Sequence, residues 1–510
     1  MALRPMRRRM PALALATSGV LAAALVSMTG ATAAPTAANE PGSTPVPIST
    51  PDGVVSSYLL NARNANPGHT KQLERAVEKA GGVVVQSWPQ IGVVVAHADV
   101  SSFRADVAKA AGNKLESVGA TRTVPVAEGT PSELSVSWGP GASGYKKEAK
   151  KPANGDIGSE ATVATVADPR ENEQWDLQMI KADQAHRITE GNRNVLVGVL
   201  DSGIDPDHPD LVANTDASES VNCTDAGRPD TSATGWHPTT SDHGTHVAGT
   251  IAAARNGVGI VGVAPGVRMA SVKVVSDAGY IYPEYAVCGF VWAGQRKMDV
   301  TNNSYYVDPF QFWCGDQPDQ YAAMEAVRRA VEWSTDRGVV HAAAAGNSSY
   351  DLSNKTIDTS APNDSTPITR TLNDTCKKVP GEFDGVVTVS SVQRFPAGTM
   401  DSRLSSFSNR GLGSIDVAAP GSAILSTIVR DNGYGTKSGT SMASPHVAGV
   451  LALMKSAHPG LTPAQMIDRL RAQADDKPCG TTTAGAPCVG TDADNSYFGE
   501  GMVDALDAVS

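Results

Sequence analysis

Gly439-Thr440-Ser441-Met442-Ala443-Ser444-Pro445-His446-Val447-Ala448-Gly449 is the stretch on which the reading of this chain turns. It sets a serine at the head of an apolar run, Val447 to Met454, that has to be buried as a helix. A helix amino terminus offers unpaired N–H groups and partial positive charge, which suit a developing oxyanion. A serine there is most often an N-cap, but capping does not explain Met, Ala, Ser and Pro in that order. A serine hydroxyl is a weak nucleophile on its own. It needs an imidazole to take its proton and a carboxylate to orient that imidazole.

Two earlier stretches supply those groups. Asp201-Ser202-Gly203-Ile204-Asp205 directly follows the apolar strand Asn194 to Leu200, so Asp201 falls at the carboxyl end of a parallel strand, where open α/β sheets build their sites. His243-Gly244-Thr245-His246-Val247-Ala248-Gly249-Thr250 begins a helix that Ser241 and Asp242 can cap. Gly244 and Gly249 admit close approach of other backbone, and His243 is free to face a cleft. His246 lies nearly a turn further in and reads as a packing residue, since HExxH and a third ligand are both absent. Ser441 lacks the GxSxG elbow, and the order Asp, His, Ser excludes an α/β-hydrolase.

On these three motifs, together with Gly262-Val263-Ala264-Pro265, Ala345-Gly346-Asn347 and Val417-Ala418-Ala419-Pro420-Gly421, the chain from 171 to 510 resembles the subtilisin-like serine protease family. The resemblance implies a three-layer α/β fold with a mostly parallel sheet, and a secreted endopeptidase that works through an acyl-enzyme and is made as a self-processing zymogen. It assigns Asp201, His243 and Ser441 to a triad and gives Asn347 the oxyanion. Substrate would lie as an added β-strand along Gly279, Tyr280 and Ile281 on one side and Ser304, Tyr305 and Tyr306 on the other, with Ala345 and Gly346 nearby. Where the family has Ser-Leu-Gly, this chain reads Ser304-Tyr305-Tyr306, two tyrosines expected to crowd the pocket wall. The loop Ala254 to Ile260 matches one that wraps a structural calcium ion. Side-chain oxygens would come from Asp210 and Asn256, carbonyls from Ala254, Val258 and Ile260, with Glu171 the nearest N-terminal candidate. A silent binding protein keeping the same fold is the rival, and it should not react with a fluorophosphonate.

Outward from the motifs, the 510 residues divide by composition. Arg4, Arg7, Arg8 and Arg9 precede an apolar run and Ala31-Thr32-Ala33-Ala34, the layout of an export signal over 1–34. A Pro/Thr/Ser-rich spacer follows over 35–51. Residues 52–127 read as a βαββαβ unit, ferredoxin-like, with strands at Val54 to Leu60, Val83 to Val85, Ile91 to Ala96 and Thr121 to Val126. Leu73, Ala76, Val77 and Ala80 mark its first helix, and Val100, Phe103 and Val107 its second. The resemblance makes this unit an inhibitory propeptide. A linker over 128–170 is the expected cleavage region. Buried parallel strands are expected at Val195 to Leu200, Met269 to Val275, Val339 to Ala344 and Val386 to Val392.

The formal net charge of -11 argues against nucleic acid as a partner. No membrane anchor and no partner beyond substrate and propeptide are expected, so the reading is a secreted monomer. Six cysteines, all beyond residue 200, fit an oxidising compartment. Their pairing is open, with Cys479 and Cys488 bracketing a loop that they could close. The insert from Ser348 to Pro380 is without an assigned role.

Overall fold

The computed structural model describes residues 41–126, 166–480 and 487–510. The export signal and most of the cleavage linker fall outside these.

The N-terminal unit runs β1 (Ser56–Ala62), α1 (Pro67–Lys79), β2 (Val83–Trp88), β3 (Val93–Ala98), α2 (Phe103–Ala111) and β4 (Leu115–Ala120). Its antiparallel sheet has the order β2-β3-β1-β4. Leu73, Ala76 and Val77 are buried on α1, as their spacing predicts, and Phe103 and Val107 on α2. Asn66 caps α1 through a side-chain bond from the His69 N–H (2.9 Å). The last strand is not where the sequence placed it. Leu115–Ala120 pairs with β1, while Thr121 onward is drawn to the larger body, where Arg122 meets Glu284 and the Thr123 N–H donates to Asp364 Oδ2 (2.9 Å). The spacer also differs. Ser43, Val46, Ile48 and Thr50 are buried, alternating with more exposed neighbours. The Ser43 N–H donates to Asp316 Oδ2 (2.7 Å) and that of Thr44 to the Thr371 carbonyl (3.0 Å), so this stretch lies as an extended strap.

The larger body is a mostly parallel nine-stranded sheet among the described residues. Its centre is β5 (Leu196–Asp201), flanked by β6 (Arg268–Lys273) and β7 (Val300–Asn303). Beyond β7 come β8 (Val340–Ala344), β9 (Val386–Arg394) and β10 (Val417–Pro420), all parallel. All four expected strands are present within two residues of their predicted limits. Strand alternation divides the core: Val197 and Val199 face one layer, Leu196 and Leu200 the other. The first layer holds α3 (His243–Ala252) and α6 (Thr440–Ala457), the second α4 (Pro283–Gln295) and α5 (Pro318–Thr335). Three disulfides, Cys223–Cys288, Cys314–Cys376 and Cys479–Cys488, use all six cysteines. The second ties the insert down, and Arg370 and Asp358 form a buried ion pair inside it (2.7 Å).

The two parts share one apolar cluster, which runs from Tyr58 and Leu60 on β1 through Val287 on α4 to Val272 on the sheet. Polar contacts fix the register. Arg104 Nε donates to Asp319 Oδ1 (2.8 Å), Asn61 Nδ2 to the Ala322 carbonyl (2.8 Å) and Arg329 Nη1 to the Ala62 carbonyl (2.8 Å). A Cβ at Gly119 would lie 2.6 Å from Asp319 Cα, so only glycine lets β4 approach α5 this closely. At the centre Glu284, wholly buried, pairs with Arg122 and accepts from Ser57 Oγ (2.8 Å). The Arg122 guanidinium also stacks 3.7 Å from the Tyr282 ring centroid. Removing one partner of such a pair strands the other charge. Glu284→Ala is therefore expected to lower stability by ~3–5 kcal/mol in chemical denaturation, with Glu284→Gln costing less because it keeps an acceptor for Ser57.

Candidate active site

Asp201 ends β5 and is buried. The next element to reach it is α3, whose first residue is His243. Its approach depends on Gly244, since a Cβ there would lie 2.5 Å from the Gly203 carbonyl oxygen and 3.1 Å from Asp201 Cβ. His243 Nδ1 consequently donates to both carboxylate oxygens, at 2.8 Å to Oδ1 and 3.0 Å to Oδ2. That contact fixes the tautomer and leaves Nε2 as the basic nitrogen. Of the two expected caps, Ser241 Oγ accepts the His243 N–H (3.2 Å), whereas Asp242 turns away to Lys437 Nζ (2.9 Å). Gly249 packs α3 against the strand Ile424–Thr427, where a Cβ would meet the Thr427 and Ser426 hydroxyls.

Ser441 is the second residue of α6 and is partly exposed. Pro445 has no N–H to bond the carbonyl one turn back, and that carbonyl is Ser441's own. Ser304 Oγ fills the gap, donating to the Ser441 carbonyl (2.8 Å), while Ser441 Oγ donates to the Ser304 carbonyl (3.1 Å). Among the described residues the hydroxyl bonds Ser304 and not His243. The Ser441 N–H has no partner among the described residues.

Asn347 follows β8 through Gly346, whose φ of 107° is open to glycine and strained for other residues. Thr440 holds the asparagine: its N–H and its hydroxyl both donate to Asn347 Oδ1 (2.8 Å each), and the same hydroxyl accepts the Gly346 N–H (3.0 Å). With Oδ1 engaged, Nδ2 is the end left to donate. A methyl at Gly439 would lie 3.4 Å from Asn347 Nδ2 and 3.6 Å from the Ser441 nitrogen, so the two donors converge on one neighbourhood. Sequence reading found Asn347 but missed Thr440, although Thr440 adjoins the serine within its motif.

The substrate-side residues divide. Gly279 is partly exposed, but Tyr280 and Ile281 are buried. Ile281 donates its N–H to Asp308 Oδ2 (2.6 Å) and accepts the Asp308 N–H (2.8 Å). Ser304 exchanges hydrogen bonds with Ser441. Tyr305 points inward and donates to Asn303 Oδ1 (3.0 Å), and burial with nearby Asp201 holds its phenol neutral. Tyr306, the more open of the two tyrosines, accepts from Asn363 Nδ2 (3.0 Å). Ala345 continues β8, donating its N–H to the Val389 carbonyl (2.9 Å).

Around the loop Ala254 to Ile260, Asp210 Oδ2 accepts the Ile260 N–H (3.0 Å), the Asp210 carbonyl accepts the Ala254 N–H (2.8 Å), and Asn256 Nδ2 lies 3.4 Å from Asp210 Oδ1. Val258 is exposed and donates its N–H to Asn256 Oδ1 (3.0 Å). A second carboxylate, Asp168, receives the Gly257 N–H (2.8 Å); sequence counting had favoured Glu171, which pairs with Arg255. Burial raises the pKa of both Asp168 and Asp210, and neither sits in an ion pair among the described residues. That donor chemistry fits a hard cation. The orientation of Asn256, amide nitrogen toward Asp210, is the one feature against it. No group of three acidic, histidine or cysteine side chains suited to a metal occurs among the described residues, so carbonyl oxygens would have to complete any shell.

His246 is a packing residue, as expected. Its Nε2 donates to the Ile424 carbonyl (3.0 Å), and burial, with Lys437 and His243 nearby, lowers its pKa to about 3. Burial lowers His341 to about 3 as well. Both depressions mean that the unfolded chain binds protons the native state refuses. Stability should thus be full above pH ~6.5 and fall as pH drops toward 3, with a slope approaching two protons. Urea denaturation across that range measures the slope, and His246→Gln should reduce it.

The sequence profile of the subtilase family (peptidase S8) matches residues 192–501. Subtilisin E of Bacillus subtilis (strain 168) is 35% identical over 300 residues, which are 59% of this chain and 65% of that one. Subtilisin of Bacillus pumilus is 36% identical over 300 residues, 59% of this chain and 90% of its own. The match thus spans just under two thirds of the first relative's length. Among solved structures, fervidolysin from Fervidobacterium pennivorans, a keratinolytic enzyme related to subtilisin, superposes with a TM-score of 0.61 at 24% identity. That likeness covers 90% of this chain and 61% of the other.

Proposed function

The chain belongs to the subtilase family, and from that premise we propose that it is a secreted serine endopeptidase made as a self-processing zymogen. The observation that carries the reading is the double contact of His243 Nδ1 with the Asp201 carboxylate, which leaves Nε2 free to act as a base. On substrate binding Ser441 rotates from the Ser304 carbonyl to His243 Nε2, a movement open to a partly exposed side chain. His243 takes the hydroxyl proton as Oγ bonds to the scissile carbonyl carbon. The oxyanion is received by Asn347 Nδ2 and the Ser441 N–H. His243 then returns the proton to the leaving amine, and water, deprotonated by the same imidazole, releases the acid and restores Ser441.

The fluorophosphonate-reactive residue should be Ser441. Ser441→Ala should abolish labelling and reduce turnover of a peptide substrate by roughly a millionfold; Asn347→Leu should reduce kcat by about 10²–10³. An unlabelled, correctly folded wild type would sink the reading.

The N-terminal unit, residues 52–127, is assigned as the inhibitor, with release by cleavage within 128–170. Its support is the βαββαβ topology and the buried Arg122–Glu284 pair, a contact made to be intramolecular first. Export rests on the residue 1–34 pattern and the three disulfides; no described helix is long and apolar enough to cross a membrane. Substrates are proteins or peptides, lying beside Gly279 and Ser304, and the enzyme acts as a monomer without nucleic acid.

A calcium ion is assigned to the loop at Asp210, with Asn256 and the Ala254, Val258 and Ile260 carbonyls, where it would neutralise buried carboxylates and stiffen the loop. Calcium at a hundred times its Kd should stabilise the protein by ~2.7 kcal/mol, read as a rise in Tm that EDTA reverses. Asp210→Asn should lose most of the rise; an identical Tm in calcium and EDTA would remove the assignment.

A further inference from the structure

Lys378 is a buried lysine that the mechanism does not use, only 1% exposed. It belongs to the insert, and sequence reading gave it no role. Its Nζ donates to the Ala344 carbonyl (2.6 Å) and the Tyr305 carbonyl (3.3 Å). These two acceptors belong to the segments that flank the nucleophile. Tyr305 follows Ser304, whose carbonyl holds Ser441 Oγ, and Ala344 lies three residues before Asn347. The ammonium therefore bridges the segment after Ser304 and the strand that leads to Asn347. Gly346 makes room for it: a Cβ there would lie 3.2 Å from Lys378 Cε.

The charge balance there is incomplete. An ammonium has three N–H donors, and two are engaged with neutral carbonyls. Glu382 acts on Lys378 from a distance, but its carboxylate is held by Lys355 Nζ (2.6 Å) and by the Lys378 backbone N–H (2.7 Å). No carboxylate forms an ion pair with Nζ among the described residues. A buried cation with only neutral partners favours any ligand that brings a carboxylate within its reach. The uncompensated charge agrees with the depression of the Lys378 pKa to about 8 by burial.

We propose that Lys378 is a specificity residue whose ammonium receives the side-chain carboxylate of the substrate residue on the acyl side of the scissile bond, so that the enzyme cuts after acidic residues, glutamate first. The proposal rests on the serine endopeptidase reading and deepens it. Glutamine is the decisive comparison, because it has the size of glutamate and lacks its charge.

The test measures kcat/KM of the purified wild-type enzyme for short peptide anilides identical except at that position, with Glu, Gln, Ala and Leu in turn. A Glu:Gln ratio of about ten to a hundred is expected, the range for a hydrogen bond to a charged group. In Lys378→Met and Lys378→Gln the ratio should fall to about one or below. A wild-type ratio at or below one overturns the proposal, and needs no variant to fold. So does a high ratio that survives in either variant. Cleavage of the alanine or leucine peptide without a glutamate advantage overturns this inference alone. Failure to cleave any peptide, with no fluorophosphonate label on Ser441, would instead overturn the peptidase reading beneath it.

Discussion

The close approach of a helix start to a strand end at Gly244 is the constraint from which the site follows. A side chain there would collide with the Gly203 carbonyl, and α3 would be pushed off the end of β5. His243 Nδ1 would then lose one or both carboxylate oxygens of Asp201. Hydrogen bonds set the imidazole tautomer, so a displacement of about an ångström removes a base without touching a reactive atom. The second helix of the same layer is placed by a comparable exchange. Pro445 frees the Ser441 carbonyl, and Ser304 takes it, which pins the serine against β7.

Much of this was legible in the sequence because it is local. Apolar runs of strand length gave β5, β6, β8 and β9, and glycines inside HGTHVAGT foretold the close packing of α3. What was not legible is contact between distant segments. Thr440 holds Asn347 from across the fold, and neither residue type announces the pairing. The 35–51 stretch has the composition of a spacer, yet Ser43, Val46, Ile48 and Thr50 are buried in alternation against partners far along the chain, Asp316 among them. Thr121 to Val126 has β-propensity, but it keeps only the bonds of the Thr121 and Val126 N–H groups to the Ser57 and Val55 carbonyls, while Arg122 between them pairs with Glu284. Tyr305, expected at the pocket wall, lies past the end of β7, and its hydroxyl donates back to Asn303, a contact its place in the sequence does not announce.

The N-terminal unit and the larger body are joined by two kinds of contact with different tolerance to change. The apolar part, Tyr58 and Leu60 against α4 and α5, accepts modest changes of shape. The polar part does not, because Glu284 is fully buried and depends on Arg122 and Ser57, which both reach Oε1 while Oε2 has no hydrogen-bond partner among the described residues. Separation of the units would leave Glu284 at a newly wetted surface, where water can replace the lost partners. The pair therefore costs little once exposed and a great deal if broken while buried. Such an interface is held most firmly while it stays closed.

The same reasoning applies to the charges inside the body. Asp201 and Lys378 are opposite in sign and both buried, yet no ion pair joins them among the described residues. Tyr305 touches on both: its phenol feels Asp201, and its carbonyl receives Lys378 Nζ. With the phenol held neutral by burial and donating to Asn303, the residue acts as an uncharged partition. Were the lysine to reach the carboxylate, it would compete with His243 Nδ1 for the Asp201 oxygens. Keeping the two charges apart leaves the carboxylate to the histidine.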